Sequence, residues 1–405
     1  MTGKMAVDVY HSSLESPLLH SLTPRSALDL GAYLRMLVLG VGYLFPIVAV
    51  FAAFDYWKYL FPGRTVEYEV NGLYQLGSVI TVLVLSFMRS INIRRRILTG
   101  FLGQFVCLGI ILSFRWLQHR WLSEGALYTL LLVISVLMSV VTGILDSAIL
   151  SLNSQYSPKM QEAMQIGIGC SIFVSVIYRD ITKLMNESPE SSATVFFALS
   201  LGTVLLCIYC FTTLLLLPIS AHIPEVYHAE PDKVSLVSVL RRAWKNELVV
   251  FGHFALCAFG YPAMITAIPS YAHPSLQRHH WFQTILLTVF TVFDMMSRFM
   301  VSYRGSLTPR NIGWTLLLRF STVPCLVLCA TGYMASDTLS VIAVAVFGIL
   351  NGYLISLSLV FMNELEGFTR DELFVLGRFS AFAVNSGLCV GGVAALYLAK
   401  ALQLQ

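Results

Sequence analysis

Charge is what this sequence has least of. Of its 405 residues only 12% are Asp, Glu, Lys or Arg, against 57% that are apolar. A soluble globular domain carries about 25% charged residues, so a water-soluble chain of this length is excluded. The mean hydropathy of +0.74 points the same way. No polar segment is long enough for a nucleotide-binding domain, which excludes a primary pump. The G-x-S-x-G, H-E-x-x-H and Walker A patterns of common hydrolases and nucleotide-binding proteins are missing too. Neither an enzyme nor a cofactor is expected. The net charge of +4 is small and dispersed in short loops, which gives no reason to expect a nucleic-acid partner. A cleavable signal peptide is also lacking: the first thirty residues are polar and broken by Pro17 and Pro24, and the apolar run that follows is too long for one. The N-terminus is therefore expected in the cytosol.

Eight cysteines occur, all inside apolar runs, and read as small fillers of helix interfaces. Cys207 and Cys210 form a C-x-x-C, but no second pair or histidine cluster accompanies it, and His279 and His280 stand alone in a loop. No metal site is expected.

The apolar residues are gathered into runs that match the roughly 20 residues needed to cross a bilayer as a helix. About eleven are present, near 31–54, 72–90, 97–114, 126–151, 163–182, 193–217, 247–268, 280–302, 311–333, 338–361 and 373–400. The fold class is an all-α polytopic membrane protein with the lipid bilayer as its solvent. Basic residues orient it: Arg89, Arg94, Arg95 and Arg96 follow the second run, and Lys233, Arg241, Arg242 and Lys245 follow the sixth. By the positive-inside rule these loops and the N-terminus are cytosolic, and an odd number of spans puts the C-terminus outside. Asn186-Glu187-Ser188, a glycosylation sequon, then falls in an outer loop. The division expected is a cytosolic tail over 1–30, a six-helix bundle over 31–217, a cytosolic loop over 218–246 and a five-helix bundle over 247–405. Within the loop, Val234 to Trp244 has the pattern of an amphipathic surface helix.

Charges inside the spans are costly and mark function. Asp294 and Arg298 in span eight lie four residues apart, on one helix face. This spacing fits either a self-neutralising pair or a pair aimed into a cavity. Asp146 lies in span four and Arg319 in span nine; Arg319 is expected to meet an acidic group on a neighbouring helix and to serve structure or gating. Arg378, near the inner end of span eleven, is placed to snorkel to the interface. Gln75, Gln165, Asn351 and Asn385 are intramembrane amides, of a kind that usually bonds between helices. Tyr43, Phe45 and Phe51 in span one are aromatics able to stack on a planar ligand.

At these positions the sequence resembles the equilibrative nucleoside transporter family. The run from Phe290 through Asp294 to Arg298 is similar to that family's F-x-x-F-D-x-x-x-R signature. Gly40-Val-Gly42-Tyr-Leu-Phe-Pro46 resembles its G-x-G-x-L-x-P-W-N element, and Asn351-Gly352-Tyr-Leu-Ile-Ser its N-G-Y-L-x-S element. The stretch from Ser157-Pro158 to Gln165-Ile-Gly-Ile-Gly169 and the Tyr261-Pro262-Ala263 triplet add weaker matches, in the expected order. The resemblance implies a major-facilitator-like fold, bundles of six and five helices around a central cavity, and nucleoside transport by alternating access, with nucleobases as further substrates. It implies that Asp294 and Arg298 contact the ribose, with Asp146 and Phe45 as further substrate contacts. Gly40, Gly42, Pro46, Arg319, Asn351 and Gly352 are then gating or structural residues. Two positions depart from the family: Ile47-Val48 replaces its Trp-Asn, and Asp146 stands where many members carry a base-binding glutamine. A carboxyl there can change protonation as solvent access alternates, which makes protons a candidate coupling ion. The rival readings are a major facilitator carrier of another solute and a non-transporting receptor or scaffold. The plasma membrane is the expected location; Glu15-Ser16-Pro17-Leu18-Leu19 resembles an acidic dileucine sorting signal, with its acid one residue too close.

Overall fold

The computed structural model describes residues 25–402, except 65, 88–91, 121, 187, 221–233 and 278–280. Glu15 to Leu19, Arg89, Lys233, His279 and His280 lie outside the described residues. Among those described, every regular element is helical. The long helices are α1 (Arg25–Ala52), α2 (Val66–Phe87), α3 (Ile93–Leu112), α4 (Glu124–Asn153), α5 (Pro158–Met185) and α6 (Pro189–Leu214). They are followed by α7 (Leu236–Phe259), α8 (Trp281–Arg298), α9 in two pieces (Thr315–Phe320 and Thr322–Ala330), α10 (Asp337–Met362) and α11 (Arg370–Ala401).

Local chemistry sets the ends of these helices. Ser123, Ser188, Ser235 and Ser336 each accept a hydrogen bond from the backbone N–H three residues on, satisfying a donor that the first turn leaves unpaired. Thr369 and Glu372 form a reciprocal capping box at the start of α11. The break in α9 at Ser321 precedes Pro324 by three residues. A proline lacks the N–H of a regular turn, and its ring clashes with the carbonyl four residues back, here that of Phe320.

Ten of the described helices are long and apolar enough to cross a membrane. The run expected at 280–302 is a helix of only 18 residues, α8, and is not among the ten. Gln283, Asp294 and Arg298 lower its hydropathy. The same helices leave large apolar side chains on the outside, among them Leu184, Leu317 and Tyr397, each more than 70% exposed. Lipid, unlike water, accepts such a surface.

Two sets of packed side chains define two bundles. Phe45, Phe101, Phe196, Phe197 and Phe211 belong to one continuous core built almost wholly from α1–α6, joined by Phe374 of α11. Phe290, Leu326, Val344, Phe347 and neighbours from α7–α11 form separate cores. Helices in a bilayer gain little from apolar burial and rely on close packing, which small residues permit. A Cβ added at Gly40 would strike the Met164 carbonyl and Gly167, so α1 and α5 cross backbone to backbone there. One at Gly42 would strike Cys207 of α6. Pro46 lies inside the continuous helix α1.

Two expectations are corrected. The segment 234–244 is not a separate surface helix; Leu236 begins α7, which runs unbroken to Phe259. Its amphipathic pattern arises because Val239 and Ala243 pack into the core while Leu240 and Trp244 face outward. Arg378 does not snorkel either: it is buried, with its guanidinium 6.0 Å from the Phe374 ring.

Candidate functional site

The face of α8 that carries Asp294 and Arg298 turns inward. Their side chains are 1% and 3% exposed, and Arg298 Nε lies 2.9 Å from Asp294 Oδ2. Two charges held out of water need good geometry and further hydrogen bonds to repay their desolvation, and both have them. Asn351 Nδ2 of α10 donates to Asp294 Oδ1 at 2.6 Å. Arg298 Nη1 donates to Ser356 Oγ at 3.2 Å and, across the boundary between the bundles, to the Gln165 carbonyl of α5 at 3.1 Å. Gly169, one turn beyond Gln165, leaves room for this crossing: a Cβ there would strike Arg298 Cδ and Nε. Gly352 gives α10 the same closeness to α8, since a Cβ would strike the Asp294 carbonyl and Ser297 Oγ.

Arg319 of α9 extends the network. It is fully buried and donates to Asn351 Oδ1 and, at 2.6 Å, to the His253 carbonyl, with Phe347 beneath it at 5.7 Å. The expected acidic partner is replaced by an amide, Asn351, which in turn donates to Asp294. His253 Nε2 is 3.1 Å from Thr315 Oγ1, whose hydroxyl donates to the Ile312 carbonyl at 2.6 Å. The histidine therefore donates through Nε2, and its bare Nδ1 faces Arg319 at 3.4 Å.

A second polar group joins the bundles through α11. Asn385 Nδ2 donates to Asp146 Oδ2 of α4 at 2.8 Å, and its Oδ1 accepts from Ser78 Oγ of α2 at 2.6 Å. Tyr43 of α1 and Tyr74 of α2 lie beside the same carboxyl. Phe45 is not brought there. It is fully buried in the core of the first bundle, edge-on to Tyr178 at 5.9 Å. Two residues along a helix turn a side chain by about 200°, so Tyr43 and Phe45 occupy opposite faces. Asn385, expected to bond between helices, and Tyr43, one of the three aromatics noted in span one, are the side chains set against Asp146.

Both ends of the bundle boundary are tied. Glu162 at the start of α5 accepts from Ser302 Oγ at 2.7 Å and lies 3.5 Å from Arg304, which also pairs with Glu364 at the end of α10. The Glu364 hydrogen bond holds the Arg304 guanidinium above its ordinary pKa. Asn363 donates to Gln161 at 3.1 Å nearby. At the other end of α5, Lys183 lies 5.2 Å from the Trp281 ring of α8. Asn186 ends α5 and donates to the Thr182 carbonyl at 2.9 Å.

Two helical bundles meeting along a polar boundary define a polytopic membrane protein of the major facilitator fold. A solved proton:xylose symporter of that superfamily, bound to 6-bromo-6-deoxy-D-glucose, superposes with a TM-score of 0.68 over 94% of this chain and 90% of its own, at 10% identity. The nucleoside transporter family model matches residues 224–400. An Arabidopsis thaliana protein named equilibrative nucleotide transporter 8 is 22% identical over 376 residues, covering 89% of this chain and 93% of that protein. Nucleoside transporter 1.2 of Leishmania donovani is 29% identical over 147 residues, 35% of this chain and 30% of that protein.

Proposed function

We propose that this protein carries nucleosides, and nucleobases as further substrates, across a membrane by alternating access, with Asp294 and Arg298 as the ribose-binding pair. The observation that carries the reading is Arg298: one guanidinium joins Asp294 to the Gln165 carbonyl across the bundle boundary. A carboxylate accepts from two neighbouring hydroxyls and a guanidinium donates in a fixed fork, the complement of a ribose edge. A ribose seated here takes over the hydrogen bonds now made with Asn351, Ser356 and the Gln165 carbonyl. Binding thereby loosens one tie between the bundles, and this is how occupancy couples to their movement.

Asp146 replaces a base-binding amide with a group that can gain a proton, and we assign the coupling-ion role, if protons drive uptake, to this carboxyl. A competition panel of nucleosides, nucleobases and free pentoses in transport-null cells tests the reading. Uridine or adenosine uptake is expected to be blocked by other nucleosides and not by free ribose or xylose. Block by free pentoses alone supports a sugar carrier instead. Run at mildly acidic and neutral pH, the same assay is expected to differ between the two for wild type and not for Asp146→Asn; a wild type insensitive to pH rules out the proton role.

We further place the N-terminus, the start of α5 and the ends of α8 and α10 on the cytosolic side of a plasma membrane, with the C-terminus and Asn186 outside. The basic residues Arg94, Arg95, Arg241 and Arg242 support this orientation. An N-terminal epitope is expected to stain only after permeabilisation, and a C-terminal one on intact cells. The reverse pattern would overturn the orientation.

A further inference from the structure

Gln165 differs from the other intramembrane amides. It is 1% exposed, yet neither its side-chain nitrogen nor its side-chain oxygen has a hydrogen-bond partner. Asn351 and Asn385 use both ends of their amides, and Gln161 does too. Gln104 bonds Thr142 through its nitrogen. A buried polar group left unpaired costs stability, and such groups are rare enough to call for an explanation. Its position is equally specific. The carbonyl of the same residue accepts from Arg298, and Gly169, one helical turn away on the same face of α5, lies against the Arg298 side chain. The idle amide therefore stands at the meeting of α5 and α8, beside the Asp294–Arg298 pair.

We propose that Gln165 is a specificity-determining residue whose carboxamide hydrogen-bonds to the polar edge of the nucleobase while the ion pair holds the ribose. This rests on the nucleoside reading above. A carboxamide offers N–H donors beside an acceptor oxygen. That combination matches base edges that place an acceptor next to a donor, the N1 and amino group of adenine or the O4 and N3–H of uracil. A carboxylate such as Asp146 can only accept, so the two groups read different features of a base.

The test is a competition profile in proteoliposomes holding wild type, Gln165→Leu and Gln165→Glu. The ligands are adenosine, inosine, uridine and benzimidazole riboside, whose six-membered ring carries no hydrogen-bonding atom. Gln165→Leu is expected to weaken adenosine, inosine and uridine by about tenfold or more and to leave benzimidazole riboside nearly unchanged. Gln165→Glu, which keeps acceptors and loses donors, is expected to weaken adenosine, inosine and uridine alike, since each pairs one acceptor with one donor. The melting temperature of Gln165→Leu in detergent should hold or rise, because no protein hydrogen bond is lost. Equal weakening of all four ligands, or a fall in melting temperature, would overturn the proposal and make the amide structural. A wild type that takes up none of the four refutes the nucleoside reading itself, a result distinct from either.

Discussion

Asp294→Asn and Arg298→Gln are each expected to lower nucleoside uptake by about 10- to 100-fold at equal surface expression, the range for losing hydrogen bonds to a charged group. The amide variants keep shape and lose charge. Asp294→Asn leaves Arg298 buried without its carboxylate, with Ser356 and the Gln165 carbonyl still accepting from it, and Arg298→Gln leaves Asp294 with Asn351. Breaking a buried pair by removing one partner costs about 3–5 kcal/mol, so both variants are also expected to melt earlier in detergent. Uptake separates the two effects when it is normalised to folded protein. A charge-swapped double variant, Asp294→Arg with Arg298→Asp, restores the pair but reverses the fork and the acceptor. It should regain part of the stability and none of the transport. Near-normal uptake in both single variants, or full recovery in the swap, would reduce the pair to a structural element.

Gly352→Val is expected to abolish most uptake and to lower the melting temperature. The added Cβ lands on the Asp294 carbonyl and Ser297 Oγ. A backbone oxygen on a packed helix cannot step aside, so α10 must move away from α8. Overpacking costs about 1–3 kcal/mol, occasionally more, and the shift also draws Asn351 off Asp294. The control is Gly202→Ala in α6, where nothing lies within 4 Å; that change should be neutral or mildly stabilising, by up to about 1 kcal/mol. If Gly352→Val matched the control in stability and uptake, the tight α8–α10 crossing would not support the site.

The spans were legible because runs of about 20 apolar residues have few other uses, and the Asp294–Arg298 pair because four residues return a helix to the same face. What was not legible shares one physical cause. In a membrane bundle the lipid-facing and buried faces draw on the same apolar residues, so periodicity does not say which way a helix is turned. Phe45 and Tyr43 looked equally able to meet a ligand until the rotation of α1 separated them. Arg378 looked able to snorkel until the packing of α11 enclosed it. Arg319 suggested a carboxylate partner, whereas the fold supplies Asn351, 32 residues away in sequence and an uncharged relay to Asp294. Gln165 carried the same expectation as every other intramembrane amide, and only the placement of its neighbours leaves it without a partner.

Counterflow in proteoliposomes tests the central claim most directly. Purified wild type and Asp294→Asn are reconstituted, the vesicles are loaded with unlabelled uridine, and entry of labelled uridine or adenosine is followed. Alternating access at a nucleoside site predicts saturable entry, faster in preloaded vesicles than in empty ones, and little above protein-free vesicles for Asp294→Asn. Entry into wild-type vesicles that is no faster than into protein-free ones, or that ignores the preloaded nucleoside, would contradict it.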